Sequence, residues 1–138
     1  MKIILVDTNV VLDYLLHRPD YSNAMNIYLL AEQKYITGYI SASAITDIFF
    51  LAKRKLGKKP IKEALKNLLQ VFKPATVTDN HIYQALDLDW SDFEDSVQYI
   101  VGENLSVDYI VTRNTQDYTS GSIPAVTPGM FIQTIAVI

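Results

Sequence analysis

The sequence contains no cysteine. Disulfides, zinc–thiolate sites and thiol nucleophiles are thereby excluded. A reducing compartment fits that absence without being required by it. No run of residues approaches the ~20 apolar positions that a membrane-spanning helix needs. The opening Met1-Lys2-Ile3-Ile4-Leu5-Val6-Asp7 has one lysine and a four-residue apolar run. That is too short for the core of a secretory leader, so a cytoplasmic protein with no membrane partner is expected. Internal repeats, low-complexity tracts and linkers are also missing, which leads us to expect one domain over residues 1–138. What remains is 49% apolar and 20% charged, the make-up of a folded rather than a disordered chain.

A net charge of −3 would by itself argue against a nucleic-acid partner. The distribution says more than the sum. Seven of the twelve basic residues lie between Lys53 and Lys66, and nine of the fifteen acids between Asp79 and Asp117. Such a chain could hold phosphates on one patch and metal on the other. The lysines could equally be the solvated face of a helix.

Residues 3–6 form an apolar, β-branched run of the kind buried on both faces in parallel sheets. Asp7-Thr8-Asn9 then offers capping groups to a helix carrying Val11, Leu12, Leu15 and Leu16, ended by Arg18-Pro19-Asp20. A second helix is predicted from about Ser22 to Gln33 and a second strand over Gly38–Ser41. Ser43 is the expected cap of a third helix stopping at Gly57, and Pro60 the expected first residue of a fourth. Thr76-Val77 reads as a strand and Asp79 as a helix cap. Ser91-x-x-Glu94 has the form of a capping box, opening a helix with Phe93, Val97, Ile100 and Val101 on one face. Asp108–Thr112 is a further buried strand, residues 123–126 a brief extended piece, and Pro128 the start of a last helix. Strands alternating with helices predict an α/β domain, three layers deep, with a mainly parallel central sheet. Ligands of such sheets bind at the carboxyl ends of the strands, where Asp7 and Arg113-Asn114 would meet.

The acids near that rim are the candidates for chemistry. Asp7 ends an apolar strand, where a buried charge is costly unless a cation or hydrogen bonds offset it; it could instead simply cap the next helix. Asp47 sits among apolar neighbours early in the third helix, and could be there for the helix dipole. Asp92, Glu94 and Asp95 crowd one helical turn and repel one another. Asp95 projects away from the apolar stripe, and Glu94 reads as a solvated helix start. Thr112, Asn114 and Asp117 could each reach a metal or its waters. Several carboxylates in one cleft are reconciled by a divalent cation, and an all-oxygen ligand set suits Mg²⁺ or Mn²⁺.

The ordered set Val-Asp7-Thr8-Asn9, Ser-Ala-Ser-Ala-Ile-Thr-Asp47, Asp92-Phe-Glu-Asp95 and Tyr-Ile-Val-Thr112-Arg113-Asn114-x-x-Asp117-Tyr resembles a PIN domain. The closing Ile-Pro-Ala-Val-Thr-Pro-Gly-Met-Phe is similar to the end of bacterial members. The resemblance covers essentially the whole chain. It implies an α/β/α fold and a Mg²⁺- or Mn²⁺-dependent endoribonuclease, often a VapC-type toxin that is held by an antitoxin and forms a homodimer. It assigns catalysis to Asp7, Asp47, Asp95 and Asp117, and metal contact to Asp7, Asp95, Asp92 and Asn114. Thr8, Asn9 and Thr112 are supporting residues, while Lys53, Arg54 and Arg113 are candidate RNA contacts. Two positions depart from the family pattern: Asp47 stands where many members have glutamate, and Asn114 where several have aspartate. A module that binds RNA or protein without cleaving is the alternative these departures leave open. A haloacid-dehalogenase-like phosphatase is disfavoured, since its second aspartate is replaced here by Asn9. Tyr14, Tyr21, Tyr28 and Tyr35, spaced by seven, could line a docking groove, although Pro19 interrupts the spacing.

Overall fold

The computed structural model describes residues 1–136. Five parallel strands form one sheet in the order β3-β2-β1-β4-β5: β1 (Lys2–Val6), β2 (Ile36–Ser41), β3 (Lys73–Ala75), β4 (Tyr109–Val111) and β5 (Ala125–Val126). All four pairings are parallel, with Leu5 opposite Tyr39 on one side and Ile110 on the other. Among the described residues seven helices flank them: α1 (Thr8–Leu15), α2 (Tyr21–Glu32), α3 (Ala42–Leu56), α4 (Lys58–Leu68), α5 (Asp79–Leu86), α6 (Phe93–Leu105) and α7 (Pro128–Ala136). A 3₁₀ turn spans Thr115–Tyr118. The α/β/α expectation is met.

Side-chain alternation along the strands divides the core in two. Ile4, Val6, Ile36, Ile40 and Val111 face α1, α2, α3, α4 and α7. Leu5 and Ile110 face α5 and α6, with Ala85, Val97, Ile100 and Val101. The chain leaves β1 toward β2 and β3, then crosses back to β4 and β5. The strand order therefore reverses between β1 and β4, and the crevice above their carboxyl ends is where such sheets bind ligands.

Several local expectations need correction. The third strand is Lys73–Ala75, not Thr76-Val77. It contains Pro74, and β3 lies at the sheet edge, where proline's missing N–H is tolerated. Ser41 rather than Ser43 caps α3, accepting from the Ala44 amide at 3.2 Å. Thr78 rather than Asp79 caps α5, in a reciprocal box with His81. Asp92 replaces Ser91 as the cap of α6, accepting from the Asp95 amide at 3.0 Å. Phe93 is 47% exposed, outside the buried stripe. Helix α4 begins at Lys58 directly after Gly57, whose φ of 86° suits glycine at the junction with α3. Tyr14 stacks on both Tyr21 and Tyr28, whereas Tyr35 stands apart, 65% exposed. Among the described residues no helix is long and apolar enough to cross a membrane.

Candidate active site

Asp7 follows the last residue of β1 and is only 6% exposed. Its position is tied to β4 by its own amide, which donates to the Val111 carbonyl at 2.9 Å. Buried carboxylates need donors, and Asp7 has five. Oδ1 accepts from the Thr8 amide at 2.7 Å and from the Gln98 side-chain amide. Oδ2 accepts from Thr112 at 2.8 Å, Asn9 at 3.3 Å and the Tyr118 hydroxyl at 3.4 Å. The cap role and the buried-charge role are thus filled by the same residue.

Around Asp7 opens a cleft of about 510 Å³ lined by Asp47, Asp92, Glu94, Asp95, Asn114 and Asp117, with Thr8, Asn9, Phe50 and Leu51. Asp47 comes from α3, and Asp92, Glu94 and Asp95 from the start of α6. Asn114 and Asp117 come from the loop and turn after β4. Residues up to 110 positions apart in the chain meet because both strand ends at the crossover share one rim. A cavity of similar size, about 550 Å³, lies among the amino ends of β1, β2 and β3. It gathers no comparable set of ligating groups.

Crowding of like charge leaves a mark on the acids. Burial comes first for Glu94, followed by the charge of Asp47 and a hydrogen bond between the two carboxyl groups; together they lift Glu94 to about 7. Asp95 is lifted to about 6 by burial, then by Asp92, Asp7 and Asp117, with the Tyr118 hydroxyl pulling it partly back. Tyr118 is 1% exposed and held far above the ordinary phenol range, by burial first and then by Asp7 and Asp95. It stays protonated and bridges the two acids, lying 3.3 Å from Asp95 Oδ1.

The residues expected from sequence divide into three groups. Asp7, Asp47, Asp92, Asp95, Asn114, Asp117, Thr8 and Asn9 line one cleft. Thr112 lies beneath it, fully buried, donating to Asp7 and accepting from the Asn114 amide at 3.0 Å. Arg113 is turned away: its Nε sits 2.9 Å from Asp13 on α1, although its backbone amide donates to Asn9 at 3.3 Å. Lys53 and Arg54 are exposed on the last turn of α3, beyond the cleft.

Glu94, Tyr118, Gln98 and Asp13 are the residues that sequence reasoning passed over. Glu94 was assigned to solvent; although it is an exposed residue, its carboxyl meets Asp47. Gln98 lies in a stretch, Ser96–Gly102, that is buried all round, so no polar face singled it out. Asp13, directly after Val10-Val11-Leu12, was the one with a legible signal: a charge in an apolar stretch asks for a partner. It is 1% exposed, and burial raises its carboxyl pKa against the pull of Arg113.

The PIN domain family profile matches residues 3–116, and the chain belongs to the PIN-domain family. No curated protein sequence matches it. Among solved structures it is similar to Mycobacterium tuberculosis VapC20, a sarcin-ricin loop cleaving toxin: 18% identity, TM-score 0.68, covering 86% of this chain and 95% of that one. A toxin–antitoxin complex from Klebsiella pneumoniae aligns at 20% identity and TM-score 0.69, covering 91% and 97%. VapBC2 from Rickettsia felis, bound to a promoter DNA fragment, aligns at 16% and 0.67, covering 90% and 96%. At these identities the likeness establishes the fold.

Proposed function

We propose that this protein is a divalent-metal-dependent endoribonuclease and the toxin of a toxin–antitoxin pair. The observation that carries the reading is the convergence of six carboxylates, from β1, α3, α6 and the turn after β4, in one cleft at the sheet's crossover. Family membership supports a nuclease. The antitoxin partner is suggested by the complexes in which the similar folds were solved. A homodimer is a family expectation carried forward with it.

The donor set fits Mg²⁺ or Mn²⁺. It is all oxygen, and the raised carboxyl groups of Glu94 and Asp95 register negative charge that a cation would offset. Among the described residues no three acidic or imidazole side chains stand close enough to enclose an ion by themselves. Mg²⁺ keeps several waters and takes few protein ligands. Asp7, Asp95, Asp92 and Asn114 would hold it directly or through its waters, with Glu94 alongside. When bound, the ion would activate water and offset charge on the phosphate.

The chain's own groups do the positioning. Five donors hold the Asp7 carboxyl group in one orientation. Tyr118 spaces Asp7 from Asp95, and Thr112 links Asp7 to the loop bearing Asn114. The Glu94 carboxyl, raised to about 7 by burial and then by Asp47, stands in the same cleft. Asp117 stands at the cleft mouth on an exposed turn.

The test is cleavage of a structured RNA pool by purified protein, with Mg²⁺ or Mn²⁺ and with chelator. Cleavage should require the metal and be lost in Asp7→Asn prepared identically. Folded protein, shown free of any bound partner, that cuts nothing with either metal would overturn the reading in favour of a binding module.

A further inference from the structure

Helix α3 buries Ala44, Ile48 and Ala52 against the sheet. Its opposite face should be polar, as amphipathic surface helices are. Instead, Phe50 stands on it, 60% exposed, with Leu51 on its flank, 47% exposed, and both line the acidic cleft. Along that side the order is Asp47, then Phe50 and Leu51 three and four residues on, then Arg54 four residues after Phe50 and three after Leu51. Residues at these spacings share one side of a helix. The stripe therefore runs from acid to apolar to basic over about 10 Å of helix rise.

Carboxylates repel phosphates, so a strand reaching this cleft needs attraction from elsewhere. An exposed aromatic can stack on any base, and basic side chains beyond it can hold the backbone. Among the described residues, Phe50 has one aromatic contact, edge-on to Phe49, and no ion pair engages Lys53, Arg54 or Lys55. A second copy of the chain seated here would bring two acidic clefts together, which like charge disfavours.

Resting on the nuclease reading, we propose that this face of α3 is the track for an unpaired RNA strand. The base beside the phosphate in the cleft stacks on Phe50, with Leu51 as the flanking wall. The next phosphate lies on Arg54. Base-paired RNA keeps its base faces covered and does not fit this track.

The test uses the full chain and end-labelled homohexaribonucleotides, with binding read by fluorescence anisotropy in Ca²⁺. Phe50→Ala should weaken binding of the tightest hexamer by about fivefold or more, and Phe50→Trp should retain it. Placing one abasic nucleotide at each position in turn should find a position where binding falls in the wild type and Phe50→Ala adds nothing further. Arg54→Ala should weaken base-bearing and abasic hexamers alike and lower the salt dependence. Equal hexamer affinity in wild type and Phe50→Ala overturns the proposal, as does failure of the wild type to bind any hexamer. A dimer that Phe50→Ala converts to monomer, with hexamer affinity unchanged, would assign the face to self-association instead. Phe50-dependent base binding without cleavage in Mg²⁺ or Mn²⁺ would sink the nuclease reading and leave this one standing.

Discussion

Asp13 and Arg113 are an ion pair with unequal members: the carboxylate is buried, while the guanidinium side chain is 39% exposed. Burial raises the Asp13 carboxyl pKa, and Asp13 Oδ1 has no hydrogen-bond partner. The charge on Asp13 is tolerated because Arg113 is there, not because the pair is strongly stabilising. Removing one partner of such a pair costs more than neutralising the buried one in place. Arg113→Ala should lower unfolding stability by about 1–3 kcal/mol, and Asp13→Asn by less than about 1 kcal/mol. Urea denaturation of the two variants checks the order. The reverse order would mean that the pair itself, rather than relief of a stranded charge, holds α1 to the loop. Because Arg113 lies between Thr112 and Asn114, this contact also bears on how the loop presents Asn114.

Elements contribute through close approach. In β2, Gly38 packs so tightly under Phe72 that a Cβ built there would lie 2.4 Å from the ring. Phe72 is 4% exposed, so an added methyl group must displace the ring from its packing. Gly38→Ala should cost about 1–3 kcal/mol through overpacking, and adding Phe72→Leu should recover part of the loss. Thermal melts of the single and double variants test this; equal stability of Gly38→Ala and wild type would show that Phe72 can yield. Helix α6 works differently. Its cap, Asp92, is a candidate ligand whose Oδ1 is committed to the Asp95 amide, so the geometry of the helix start and of the acidic cleft are one feature. The unusually complete burial of Ser96–Gly102 wedges Gln98 under Asp7.

At the scale of the molecule the cleft makes stability depend on pH. Glu94 and Asp95 have folded values of about 7 and 6, above their ordinary 4.5 and 3.8. An acid whose pKa is raised on folding binds more protons in the folded state between those values. Its contribution is therefore full below the unfolded pKa and lost as pH rises through the folded one. In chelator the melting temperature should fall between about pH 5 and pH 8. Mn²⁺ should restore more at pH 8 than at pH 5, because only the ionised acids gain from the cation, and should restore little in Asp7→Asn. A melting temperature that is flat across this window, or an equal Mn²⁺ shift in both proteins, would refute the coupled acidic cleft.

The α/β order, the strand-end aspartate and most helix stripes were legible in the sequence, because apolar periodicity and caps depend on neighbours within about four residues. Asp7 could be singled out for the same reason: a charge closing an apolar strand is a local contradiction. The strand Lys73–Ala75 was not legible, since whether Pro74 is tolerated depends on which strand ends up at the edge. The role of Glu94 was hidden too, for its carboxyl looks solvated until α3 brings Asp47 against it. The partners of Asp7 at Gln98 and Thr112 lie 91 and 105 residues away. Local sequence determined which elements form and where the acids stand on them. Only the crossover between β1 and β4 decided which acids face one another, because electrostatic environment is set by distance in space rather than along the chain.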